Sequence, residues 1–141
     1  MPACYHSSIE GAQHGTKSLA QFLDYAKTSG ASGAQPSCFM LQEEGSHEKQ
    51  PKFKSAAEIK EMFASRGLTI DGISCHCPIW VHTTAWTESP TIRPFTPKHL
   101  HREPVKKIEA WMLVYILMLL ALAATLKVKI LPTCWGVAFG W

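Results

Sequence analysis

The chain has 141 residues, of which 46% are apolar and 18% charged, with a formal net charge of +3. That length suits one domain with a real core, and the composition is that of a globular chain low in charge. With no Lys/Arg run, nothing in it supports binding to nucleic acid.

Residues 3–9 read as a short strand, followed by a loop from Gly11 to Gly15. Ser18-Leu19-Ala20-Gln21 fits a capping box, in which a serine and a glutamine satisfy the free N–H groups of a helix start. Leu19, Phe22, Leu23 and Ala26 then repeat at helical spacing, and Gly30 and Gly33 can stop the helix. Ala34 to Leu41 reads as a second strand, and residues 43–52 as a polar, flexible connection. Ser55-Ala56-Ala57-Glu58 is a second capping box; Ile59, Met62 and Phe63 share one face behind it. Arg66 in the last turn and Gly67 just past it suit the negative end of a helix and its left-handed cap.

Leu68 to Cys77 reads as the third strand. Residues 83–104 form a long connection holding Pro90, Pro94, Pro97 and Pro104, of a length that compact domains keep for covering a site. Residues 105–126 read as a third helix, and Lys127 to Pro132 as the start of a fourth strand. The order β-α-β-α-β-α-β predicts an α/β fold, one domain over 1–141, with a parallel four-stranded sheet and right-handed crossovers.

The five cysteines are Cys4, Cys38, Cys75, Cys77 and Cys134, and the N-terminus has no apolar core of the signal-peptide kind. An odd count without such a signal favours reduced thiols in a cytoplasmic protein.

The stretch from Gly72 to Trp86 begins as a buried strand and ends as a polar, aromatic, histidine-bearing loop. Parallel α/β proteins build their sites at such strand ends. His76-Cys77-Pro78, Trp80 to Thr87, Ser89 to Pro94, Gly33 to Ser37 and Trp135 to Trp141 resemble sugar phosphate isomerase/epimerase proteins of the xylose-isomerase-like TIM-barrel superfamily. The resemblance spans nearly the whole chain. It implies a partial (β/α)8 barrel, this chain being its N-terminal half, cut as strand four reaches the catalytic face.

The resemblance further implies a parent that isomerises or epimerises a sugar or sugar phosphate. There a divalent metal (Mn, Mg or Zn) polarises the substrate oxygens while a proton or hydride moves. Its ligands would lie on later strands, so this chain alone is expected to hold no metal and no catalytic carboxylate, and to be inactive by itself. What it would supply is pocket wall. His76 corresponds to a histidine facing the sugar, and an imidazole can hydrogen-bond a hydroxyl and titrate near neutrality. Trp80, His82 and Trp135 are further candidates; the two indoles suit either sugar C–H faces or packing at the rim. Trp86 fits packing better.

Two other motifs are weak. Cys75-His76-Cys77, with Cys38 and Cys134, has zinc-ligand chemistry but not zinc-ligand spacing, and strand alternation separates His76 from its neighbours. Small buried thiols are the plain reading. Gly11 to Ser18 fails the phosphate-loop pattern, because three residues separate its glycines and Thr16 splits Gly15 from Lys17.

Residues 110–126 carry only Thr125 and the Tyr115 phenol as polar side chains. Centring a buried face on Ile116 brings in Met112, Leu119, Leu120 and Ala123, and leaves Val114, Met118, Ala121 and Thr125 opposite. An apolar far face fits three accounts: a single membrane pass flanked by Lys106, Lys107, Lys127 and Lys129; burial against another chain, in self-association or with the missing C-terminal half, which would also serve a non-catalytic assembly module; or a degenerate or modified sequence prone to aggregate. The barrel-like context on both sides disfavours the membrane.

Overall fold

Two serines start two of the helices. In the computed structural model, which describes the backbone of residues 4–6 and residues 18–43, 51–75 and 97–131, Ser18 opens helix α1 (Leu19–Thr28) with a complete capping box. Its hydroxyl accepts from the Gln21 amide at 3.2 Å, and Gln21 Oε1 accepts from the Ser18 amide at 3.1 Å. Ser55 opens α2 (Ala56–Ala64) by accepting from the Glu58 amide at 3.1 Å. Here only half of the expected box forms in the described contacts: the Glu58 carboxylate pairs with Lys54 at 3.3 Å.

The helix ends follow the sequence as closely. Gly30 and Gly67 have φ of +76° and +66°, the left-handed region where a side chain is strained. Past α2, Leu68 donates to the Phe63 carbonyl and Gly67 to that of Ala64. Arg66 donates to the Met62 carbonyl and reaches Asp24 on α1 at 2.7 Å.

Between the helices run strands β1 (Cys4–His6), β2 (Gly33–Gln35) and β3 (Thr69–Ile70). They form one sheet in the order β1-β2-β3, parallel throughout, with Tyr5 opposite Ala34 and Ala34 opposite Ile70. The chain is therefore α/β with a parallel sheet. The helices pack in sequence, α1 on α2 and α2 on the long α3 (Val105–Leu126).

Three strand expectations change. The second strand ends at Gln35 rather than running to Leu41. Pro36 brings no N–H to a ladder, and Ser37 turns inward to cap a 3-10 turn over Cys38–Leu41, accepting from the Phe39 amide at 3.3 Å. The third strand is regular only over Thr69–Ile70; it resumes as a single parallel bridge, Ser37 to Ser74. Among the described residues the sheet has three strands, not four. Lys127 is the left-handed cap of α3 (φ 60°) instead of a strand residue, because its N–H still serves the Ala123 and Ala124 carbonyls. Beyond it the Ile130 carbonyl accepts from the Ile73 amide at 3.1 Å, one hydrogen bond where the fourth strand was expected. Gly72 permits this approach: a Cβ there would stand 3.0 Å from the Ile130 oxygen.

The polar connection expected over 43–52 is tied at both ends. Gln42 and Phe53 form an antiparallel bridge, and Glu43 meets Lys52 through backbone and side chain. At the end of the long connection, a 3-10 turn at Lys98–Leu100 buries Leu100 against Ile108 and Met112 of α3.

The core lies between sheet and helices. Leu19, Phe22, Leu23 and Ala26 of α1, Ile59 and Phe63 of α2, and Tyr115, Leu119, Ala123 and Leu126 of α3 close on Ala34, Ile73 and Cys75. The buried stripe of α3 is Ile108, Met112, Tyr115, Leu119, Ala123 and Leu126. It is rotated from the expected face by about 60° at 100° per residue, so that Ile116 sits at its edge and Leu120 is 47% exposed. The expectation of an apolar far face holds: Leu113, Val114, Leu117 and Met118 are also exposed. Among the described residues α3 is the one helix long and apolar enough to cross a membrane.

Candidate functional site

Beyond the C-terminal ends of β2 and β3 the two faces of the sheet differ. On the helix side, Cys38 and Cys75 are both fully buried thiols. Two backbone hydrogen bonds set their placement. Ser74 donates to the Pro36 carbonyl at 2.9 Å, and Cys38 donates to the Ser74 carbonyl at 2.8 Å. These bonds pair Ser37 with Ser74, so the next residue on each segment is a cysteine, and the thiols hydrogen-bond each other.

Tyr115 comes down onto this pair from α3. Its ring makes an edge contact with Phe53 (centroids 5.3 Å apart) and a tilted one with Trp111 (5.4 Å). Its hydroxyl hydrogen-bonds Cys38 and accepts from Gln42 Nε2. A relay results, from the Gln42 amide through the phenol to the Cys38 sulfur. Gln42 Oε1 and the Trp111 indole N–H are buried beside it with no hydrogen-bond partner.

The relay separates the two acids. Burial pushes the Tyr115 phenol well above its ordinary value, and the neighbouring Cys38 pushes the same way. Burial also pushes the Cys38 thiol up, but hydrogen bonds from Cys75, Tyr115, Ser37 and the Phe39 backbone outweigh it and hold the thiol below its ordinary value. The phenol keeps its proton and the thiol yields first.

The other face is polar. Gln35 Nε2 donates to the Ser74 hydroxyl at 3.2 Å, joining the ends of β2 and β3. Thr69 donates to the Asp71 carboxylate at 2.7 Å lower on β3. Gly33 makes room there, since a Cβ would lie 2.1 Å from Asp71 Oδ2.

The four residues expected to line a sugar pocket, His76, Trp80, His82 and Trp135, lie outside the described residues, as does Trp86. Among the described residues no three His, Cys, Asp or Glu side chains converge as metal ligands. The divalent metal implied by the family resemblance has no ligand set there. The polar network of Cys38, Cys75, Tyr115 and Gln42 had only a faint sequence signal: cysteines near two strand ends and one phenol in an otherwise greasy helix.

No protein-family model matches this chain, and no curated protein matches it in sequence.

Proposed function

We propose that this chain forms the first half of a (β/α)8 barrel of the xylose-isomerase-like kind, contributing a pocket wall to sugar or sugar phosphate isomerisation or epimerisation. The observation that carries the reading is the Gln35–Ser74 pair, a hydrogen-bonding surface at the C-terminal ends of consecutive parallel strands, on the sheet face away from the helices. Three parallel strands paired in chain order, with α1 packed on α2 and α2 on α3, accord with the opening units of a barrel, and the first half of a doubly wound sheet shares that order.

His76 follows Ser74 by two residues. In this reading His76 binds a sugar hydroxyl, with Trp80, His82 and Trp135 as further contacts to the sugar. Metal and proton-transfer carboxylates come from later strands, so this chain alone turns over no sugar. Reduced thiols at Cys38 and Cys75 accord with a reducing, cytoplasmic setting.

The test is binding by NMR. Millimolar ketose or ketose phosphate is expected to shift the indole N–H resonances of Trp80 and Trp135, with the shifts lost in His76→Ala. No solvent deuterium should enter the sugar, with or without manganese. Unmoved indole resonances at saturating sugar would refute the pocket, and deuterium incorporation by this chain would refute the division of labour.

A second reading rests on the exposed side of α3. Leu113, Val114, Leu117, Met118 and Leu120 form an apolar surface suited to burial against polypeptide, which makes the chain an assembly module whether or not a sugar binds.

A further inference from the structure

We infer that Cys38 and Cys75 are a peroxide-oxidisable pair, Cys38 reacting first and Cys75 closing the disulfide. This stands apart from the sugar reading, since it concerns the opposite face of the sheet.

The geometry begins in the backbone. The Ser37–Ser74 bridge is parallel, and Cys38 donates to the Ser74 carbonyl at 2.8 Å. Cys38 opens the 3-10 turn directly after the bridge and Cys75 follows Ser74 directly, and both side chains are buried in the same core cluster, neighbours at one point of the fold as the short span of a disulfide requires. The two backbones are already hydrogen-bonded at this point and both thiols lie in one buried cluster, so no segment has to move far to join them.

The surroundings then choose the nucleophile. Cys38 receives hydrogen bonds from Cys75, Tyr115 and Ser37 and from the Phe39 backbone, four interactions that favour its thiolate. Cys75 and Tyr115 are the titratable groups facing it, the first from the end of β3 and the second from α3; Tyr115 retains its proton and acts as a donor.

The step balances with hydrogen peroxide. Cys38 thiolate attacks one peroxide oxygen, the O–O bond breaks, and the departing hydroxide takes a proton to leave as water. Cys38 is then a sulfenic acid. Cys75 sulfur attacks the Cys38 sulfur, the S–O bond breaks, the Cys75 proton goes to the leaving oxygen, and a second water departs. Two thiols have lost two electrons and two protons, and one peroxide has become two waters. Both thiols are fully buried, so the oxidant has to be small and uncharged, and larger reagents are kept out.

The experiment treats the folded chain with hydrogen peroxide and maps its disulfides by mass spectrometry after alkylation. The expected product is the loss of two hydrogen atoms with Cys38 linked to Cys75 as the main cross-link. Thiol reductant should reverse it. In urea, where no fold holds the pair together, the same treatment should scramble all five cysteines. Cys75→Ala should stop at a dimedone-reactive sulfenic acid on Cys38, and Tyr115→Phe should slow cross-linking. Should either variant fail to fold, the wild-type map decides alone. A folded chain whose Cys38 and Cys75 stay reduced, or whose disulfides join other cysteines instead, would overturn the proposal.

Discussion

At the scale of single residues, Tyr115 is the most constrained side chain in the described core. It is fully buried, held between two aromatic rings, and bonded to both Gln42 and Cys38. Gln42, only 5% exposed, already has one amide atom without a partner. Tyr115→Phe would strand the other and should cost about 1–3 kcal/mol in a denaturant titration, the penalty for leaving a buried polar group unmade. The phenol also carries a pH signature. Its folded-state pKa is raised above the ordinary 10.0, chiefly by burial. The unfolded chain therefore releases that proton first, and the stability it supplies is complete below pH 10 and lost as pH climbs towards the folded value. Wild type should lose stability above pH 10 more steeply than Tyr115→Phe, measured by denaturation midpoints at successive alkaline pH values. In the sequence Tyr115 stands out only as a polar exception in a greasy helix. Its partners lie 73 residues back for Gln42 and still further for Cys38, beyond any local pattern.

At the scale of elements, helix starts and stops were the most legible features. Ser18 with Gln21, and Gly67 after Arg66, act within four residues of one another, so short-range chemistry decides them. Strand ends were less legible. Ala34 to Leu41 looks continuous by composition, yet Pro36 and the Ser37 cap divert it after Gln35. The phase of α3 was misplaced for a related reason. A helix apolar all round offers no polar side to orient it, so the buried stripe is set by what α2 and the sheet present. Lys60 on α2 donates to the Thr125 carbonyl at 3.1 Å, and Tyr115 seeks Cys38 and Gln42. Gly72 shows how an element is positioned by space. Gly72→Ala would put a Cβ 3.0 Å from the Ile130 oxygen and 3.3 Å from Gln35, pressing on the segment beyond α3. It should destabilise by about 1–3 kcal/mol, the usual cost of overpacking, and speed hydrogen exchange at the Ile73 amide.

For the whole molecule, the apolar outer side of α3 is the surface on which the pocket-wall and assembly readings part. Leu117 is 56% exposed, at the centre of the surface formed with Leu113, Val114 and Leu120. If polypeptide covers it, wild type should sediment above monomer mass, and Leu117→Glu should weaken association by more than roughly tenfold through a buried, unpaired carboxylate. On a merely solvated surface the substitution should change stability by less than about 0.5 kcal/mol. Flotation with phosphatidylcholine vesicles is the discriminating control: co-flotation of wild type, abolished by the same substitution, would move the surface from protein to membrane.

The sequence by itself determined the α/β alternation, the capped ends of α1 and α2, the span of α3 and the greasiness of its outer side, because each depends on residues close together in the chain. Only the tertiary structure decided how far the strands run, which stripe of α3 is buried, and that Cys38, Cys75, Gln42 and Tyr115 meet. Those outcomes depend on hydrogen bonds and volume supplied by segments dozens of residues away, where a buried donor has to find its acceptor in space.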